Sequence, residues 1–195
     1  MKIFLFLYPI KAYVNACLEQ SFFLRNGYDP ARFGQLIDRR YRRRNYQLVW
    51  VLFSHPDDSS QPDRSLLSEI FEISPQDQVI ACGVSFRLHC EKEIYPNPAE
   101  IIDKLPTSVE ELVVGGFHQW DCVDKLACFA YKSGLPTQVD EDTTQFFFHT
   151  SSTEGNIPFI RRRSKLKEYF ARFGEDWVEL ARNSRKKRPW FEQID

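Results

Sequence analysis

Between Val113 and Asp142 the chain reads VVGGFHQWDCVDKLACFAYKSGLPTQVDED, and this stretch narrows the possible architectures more than any other. Leu112–Val114 is a short apolar run stopped by Gly115 and Gly116, the pattern of a strand buried on both faces. Asp121, followed three residues later by Asp124, is placed to cap a helix. Val123, Leu126, Ala127, Ala130 and Tyr131 then recur at helical spacing, and Gly134 suits the stop. Thr137–Val139 restarts extended structure. Strand, helix and strand in this order predict a βαβ crossover, the connection that parallel strands need. Cys122 falls at the first turn of the helix, at the carboxyl end of the strand. Open α/β sheets place their ligand sites there, and a helix N-terminus favours a thiolate.

The rest of the chain alternates in the same way. Lys2–Leu7, Leu48–Phe53 and Gln78–Cys82 read as further strands. Ala31–Arg44 reads as a helix, with Pro30 near its start, Phe33, Leu36, Ile37 and Tyr41 on one face, and an arginine-rich end suited to a helix C-terminus. An acidic or phosphate-bearing partner is the other use for that arginine run. His55–Asp63 is expected to be a polar loop, Arg64–Phe71 a short helix, and Pro96–Leu105 a helix leading into the strand before Gly115.

At 195 residues the chain suits one domain with a sizeable core. It is 43% hydrophobic and 27% charged, with a net charge of −1, and no stretch is long and apolar enough to span a bilayer. Its cysteines, Cys17, Cys82, Cys90, Cys122 and Cys128, are odd in number and show no ladder spacing. Reduced thiols in a cytoplasmic compartment are the expectation. His55, His89, His118 and His149 form no ligand pair, so no metal is expected, and no glycine-rich phosphate cradle or other cofactor motif is present. Residues 161–195 carry 11 lysines and arginines against 6 acids. Lys165–Arg182 predicts a helix with Tyr169, Phe170, Phe173 and Trp177 exposed for packing, and Arg185–Arg188 precede Pro189, Trp190 and Phe191. The weak overall charge argues against nucleic acid and for docking of this segment on the domain or on a second subunit.

The spacing of Val113, Val114, Gly116, Cys122, Val123, Ala127, Ala130, Gly134, Val139 and Asp142 resembles the nucleophile segment of the isochorismatase-like cysteine hydrolases, which include nicotinamidases. The resemblance extends more weakly over residues 1–160, through Lys2–Leu7, Tyr13, Leu48–Phe53, Gln78–Ala81 and Gly83. It implies a three-layer α/β/α sandwich with a mostly parallel sheet in the order 3-2-1-4-5-6; residues 161–195 are, from their charge and spacing, a basic helical extension. It also implies a cis peptide at Phe117–His118, and self-association as a homodimer.

The family triad is an aspartate after the first strand, a lysine after the third and the cysteine. Here the first position is Tyr8 and the second Cys82; Cys122 alone matches. Tyrosine is a poor base near neutral pH, and a cysteine carries no fixed positive charge. Tyr8, Cys82 and Phe117 are therefore expected to line a pocket with Cys122, and no lysine is expected at its sulfur. Cys122, His118 and Asp121 are the candidates for any catalysis that survives. Two functions follow: a binding or regulatory domain that has lost its triad, or a non-standard cysteine hydrolase of amides or esters. The loss of both base and lysine favours the first, because partial triads are very inefficient.

Overall fold

The computed structural model describes residues 1–19, 31–145, 182–183 and 185–191. Strand β1 (Lys2–Leu7) is followed by helices α1 (Lys11–Glu19) and α2 (Ala31–Arg40), then by β2 (Gln47–His55) and β3 (Asp58–Pro62). Next come β4 (Gln78–Ser85), α3 (Phe86–Lys92), α4 (Pro98–Ile102), β5 (Glu111–Phe117), α5 (Asp124–Lys132) and β6 (Thr137–Gln145). β1 lies between β2 and β5 and is parallel to both, with Leu5 opposite Val49 on one side and Val114 on the other. β4 joins the far side of β2, and β6 the far side of β5, both parallel. Counted over the parallel strands alone, the order is 3-2-1-4-5. The fold is mixed α/β with a mostly parallel sheet, as expected, and the place of a sixth parallel strand lies outside the described residues.

Residues 3–7 of β1 are all buried, so both faces of the sheet are covered. On one face Phe6 meets Phe33 of α2 at 5.9 Å, Trp50 at 5.6 Å, Phe71 at 4.9 Å and Phe117 at 6.0 Å between ring centroids. Phe4 stacks on Tyr41 at 4.0 Å, just beyond the end of α2. Each such side chain contributes about 1.5–3 kcal/mol on burial. The right-handed crossover rule puts α4 and α5 on the opposite face, where they pack against each other. Ile101, Leu126, Ala127 and Ala130 enter the core from them.

Several elements differ from the sequence reading. The helix expected over 31–44 ends at Arg40; Arg42–Arg44 form a 3₁₀ turn closed by Asn45 in the left-handed region, φ 59°. Its arginines are largely spent within the fold. Arg40 pairs with Asp140 and Asp142 at 3.1 and 2.5 Å, Arg42 with Asp77 at 2.6 Å, and Arg43 with Asp38 at 2.8 Å. The polar stretch after β2 is not a loop throughout: β3 folds back antiparallel on it. Ser54 Oγ donates to Ser59 O and accepts from Gly83 N, which ties β3 to β4. Only Arg64–Leu66 of the helix expected over 64–71 forms, as a 3₁₀ turn capped by Asp63. The helix expected over 96–105 shortens to α4, capped by Asn97 with proline in its first turn. The expected helix 165–182 lies almost wholly outside the described residues.

Candidate functional site at the carboxyl edge of the sheet

The carboxyl ends of β1, β2, β4 and β5 bring the sequence candidates to one edge. Tyr8 follows β1 directly and takes a left-handed backbone, φ 58°, which is costly for a residue with a Cβ. Its amide donates to Val51 O and its carbonyl accepts from Ile10 N, so the turn is held from both sides. The ring is 1% exposed and stacks on Phe53 at 4.4 Å, with Tyr13 edge-on at 6.4 Å. Among the described residues the Tyr8 hydroxyl has no hydrogen-bond partner. Burial, reinforced by the nearby Cys122, Cys82, Tyr13 and Asp121, raises its pKa well above the ordinary tyrosine value.

Cys82 lies within β4 rather than at its end, because the strand runs on to Ser85 through Gly83, φ 87°. Its thiol donates to Val84 O at 3.3 Å and is fully buried, and burial pushes its pKa up to about 11. The nearby lysine, Lys104, donates to Ala81 O at 2.6 Å.

After Gly116, φ 115°, the Phe117–His118 peptide is cis, as the family resemblance implies. A Cβ at Gly116 would lie 2.3 Å from Leu7 O, so glycine is required where β5 passes β1. Phe117 is buried in the aromatic layer and reaches the site through Tyr13, at 5.6 Å. His118 is 5% exposed, its ring edge-on to Tyr13 at 4.8 Å.

The turn carrying Cys122, Gln119–Val123, is π-helical and runs directly into α5. No side chain caps α5, so Asp121 is not the capping residue that the spacing suggests. Its carboxylate has two other partners: Lys125 Nζ at 2.5 Å and the Cys122 thiol, which donates to Oδ2 at 3.8 Å. The Lys125 ammonium also sits over the ring of Tyr95, 3.8 Å from its centroid. A lysine thus reaches the carboxylate beside the thiol, from a position the sequence reading passed over. Its i,i+4 spacing from Asp121 was the available signal. Lys11, close in sequence to Tyr8, pairs with Glu69 instead.

Cys122 is 7% exposed, and its pKa is pushed up to about 12, first by burial and then by the Asp121 charge, with Lys125 opposing. The thiolate expected of a helix N-terminus is therefore not favoured: loss of solvent and a neighbouring anion outweigh the helix end. Chemically, the edge presents the protonated Tyr8 hydroxyl, two thiols whose hydrogens already go to Val84 O and Asp121, and one matched ion pair. Among the described residues no group of three His, Cys, Asp or Glu side chains is arranged to hold a metal ion.

No family model matches the chain, and no curated protein does. Solved structures do. An isochorismatase from Pseudomonas putida KT2440 is 18% identical over 73% of this chain and 70% of its own, with a TM-score of 0.48. An isochorismatase family protein is 18% identical over 73% and 80%, with a TM-score of 0.47. N-carbamoylsarcosine amidase from Thermoplasma acidophilum is 19% identical over 89% and 92%, with a TM-score of 0.48.

Proposed function

We propose that this chain is a small-molecule-binding domain of isochorismatase-like type, whose pocket at the carboxyl edge persists without the family's hydrolytic triad. The observation that carries this is Tyr8. The residue is buried, held in a left-handed conformation at the position of the family's base, and its hydroxyl has no partner among the described residues. The hydroxyl is not among the buried polar atoms left without a partner, so it keeps contact with solvent and is available to donate to a ligand entering the edge. Cys82, at the position of the family's lysine, donates to a backbone carbonyl and supplies no charge to Cys122. The ligand that suits a protonated phenol as donor is uncharged and carbonyl-bearing. The lysine nearby, Lys125, is already matched by Asp121, so an ionised ligand would enter without a counter-charge. The domain works in this reading as a cytoplasmic homodimer, and sedimentation of the full chain checks the association state.

The test is hydrolysis of simple amides and esters, alongside thermal stabilisation by neutral amides. Equal hydrolysis by the wild type and by Cys122→Ala, with stabilisation lost in Tyr8→Phe, supports binding without chemistry. A second reading, a cysteine hydrolase, is favoured by the thiol–Asp121–Lys125 chain, which has the form of nucleophile, base and orienting group. Turnover abolished in both Cys122→Ala and Asp121→Asn would transfer the assignment to it.

A further inference from the structure

Residues 185–191 pack on β6 and α5 and reach the first residue of the helix that follows Cys122. Arg185 is fully buried and pairs with Glu141 of β6. The segment then turns, with Arg188 N bonded to Arg185 O and Phe191 N to Arg188 O. Trp190 O accepts from Val139 N at 2.8 Å, so the segment also satisfies a backbone donor of β6. Trp190 and Phe191 are buried, and the Trp190 ring lies 5.7 Å from that of Tyr131 on α5. The decisive contact is Asp124. Arg188 Nε donates to one of its oxygens at 2.9 Å and Trp190 Nε1 to the other at 2.7 Å. Asp124 is the first residue of α5, two positions after Cys122.

This grip matters because the start of α5 is weak in local terms. It has no side-chain cap, and it is entered through a π-helical turn rather than a regular one. Of the two carboxylates near Cys122, one is held within the helix and the other from a distant part of the chain. Asp121 is held by Lys125, and Asp124 by a segment more than sixty residues away in sequence. A turn fixed by such contacts opens locally when they are withdrawn, without unfolding of the sheet.

We propose that residues 185–191 form a latch on the Cys122 turn, so that seating of this strap on Asp124 closes the carboxyl-edge site and its release opens it. Arg188 and Trp190 are positioning residues: they act on Cys122 only through Asp124. The proposal does not depend on whether the site binds or hydrolyses its ligand.

The protein's own cysteines provide the test. In the full chain, Cys90 is exposed, whereas Cys82 in β4 and Cys122 are buried. Iodoacetamide labelling at each, resolved by peptide mass, is compared in the wild type, Arg188→Gln, Trp190→Phe and the double variant. Limited trypsin cleavage at the exposed Lys186 and Lys187 reports whether the strap has lifted. Arg188→Gln removes the ion pair to Asp124 and Trp190→Phe the indole hydrogen bond to it, so Cys122 labelling relative to Cys90 should rise about tenfold in each, and further in the double variant. Cys82 should stay slow in all of them. Three results would overturn the latch: Cys122 unchanged while trypsin cleaves the strap, Cys82 rising in step with Cys122, or a strap that stays seated in the double variant.

Discussion

A cysteine at the start of a helix usually titrates early, and Cys122 departs from that because two nearer influences oppose it. It has lost its water, and Asp121 stands beside it. Alkylation follows the thiolate, so its rate in the native protein should still climb about tenfold per pH unit above pH 8, with no plateau near an ordinary cysteine value. Asp121→Asn removes the nearby anion and should move the midpoint down; Lys125→Met removes the opposing cation and should move it up. A wild-type profile that levels off near pH 8.5 would show an unshifted thiol. Gly116 makes a separate prediction at this scale. In Gly116→Ala the added Cβ meets the Leu7 backbone from a positive φ, and neither strand can yield. The loss should exceed about 3 kcal/mol in urea unfolding, or the chain should fail to fold.

Among the elements, α2 and β6 are joined by a buried charge cluster. Asp140, whose side chain is fully buried, accepts from both Arg40 and the Tyr41 hydroxyl. Asp140→Asn leaves Arg40 short of its partner and should cost about 3 kcal/mol, measured as a lower urea midpoint with unchanged slope. Elements that bury a continuous apolar run were legible in the sequence. β1, β2 and β5 are such runs, and their boundaries are met within two or three residues. α1 was not read because it is short and carries no charge signal at its ends, with no acid in its first turn and no base in its last. β3 was not read because its residues, Asp58–Pro62, are all polar or turn-forming; pairing with β2, not composition, makes it a strand. Helix 31–44 was overextended because arginine favours helix, while Tyr41 turns away to stack on Phe4 and bond Asp140.

Taken whole, the molecule holds several acidic hydrogens in one dry place. Cys82 and Cys122 keep their protons to about 11 and about 12, and Tyr8 and Tyr13 are raised further by burial. In the unfolded chain the thiols ionise near pH 8.5 and the phenols near 10. Above pH 8.5 the unfolded state therefore binds fewer protons than the folded one, and stability falls as pH rises through the folded values. Unfolding free energy measured against pH should decline from about pH 8.5, and Cys122→Ala should reduce the slope. The convergence of Tyr8 and Cys122 at one edge was foreseeable, because both follow central strands of a parallel sheet. The protonation of that edge was not, since it depends on which neighbours exclude water. Nor was the grip of Arg188 and Trp190 on Asp124, which joins residues that no local pattern connects.

A sulfur kept as thiol is also slow to meet peroxide, since oxidants attack the thiolate. On exposure to hydrogen peroxide the exposed Cys90 should reach the sulfenic state before the buried Cys122. The same burial that withholds Cys122 from chemistry makes the site durable: its sulfur outlasts oxidising episodes that consume the surface.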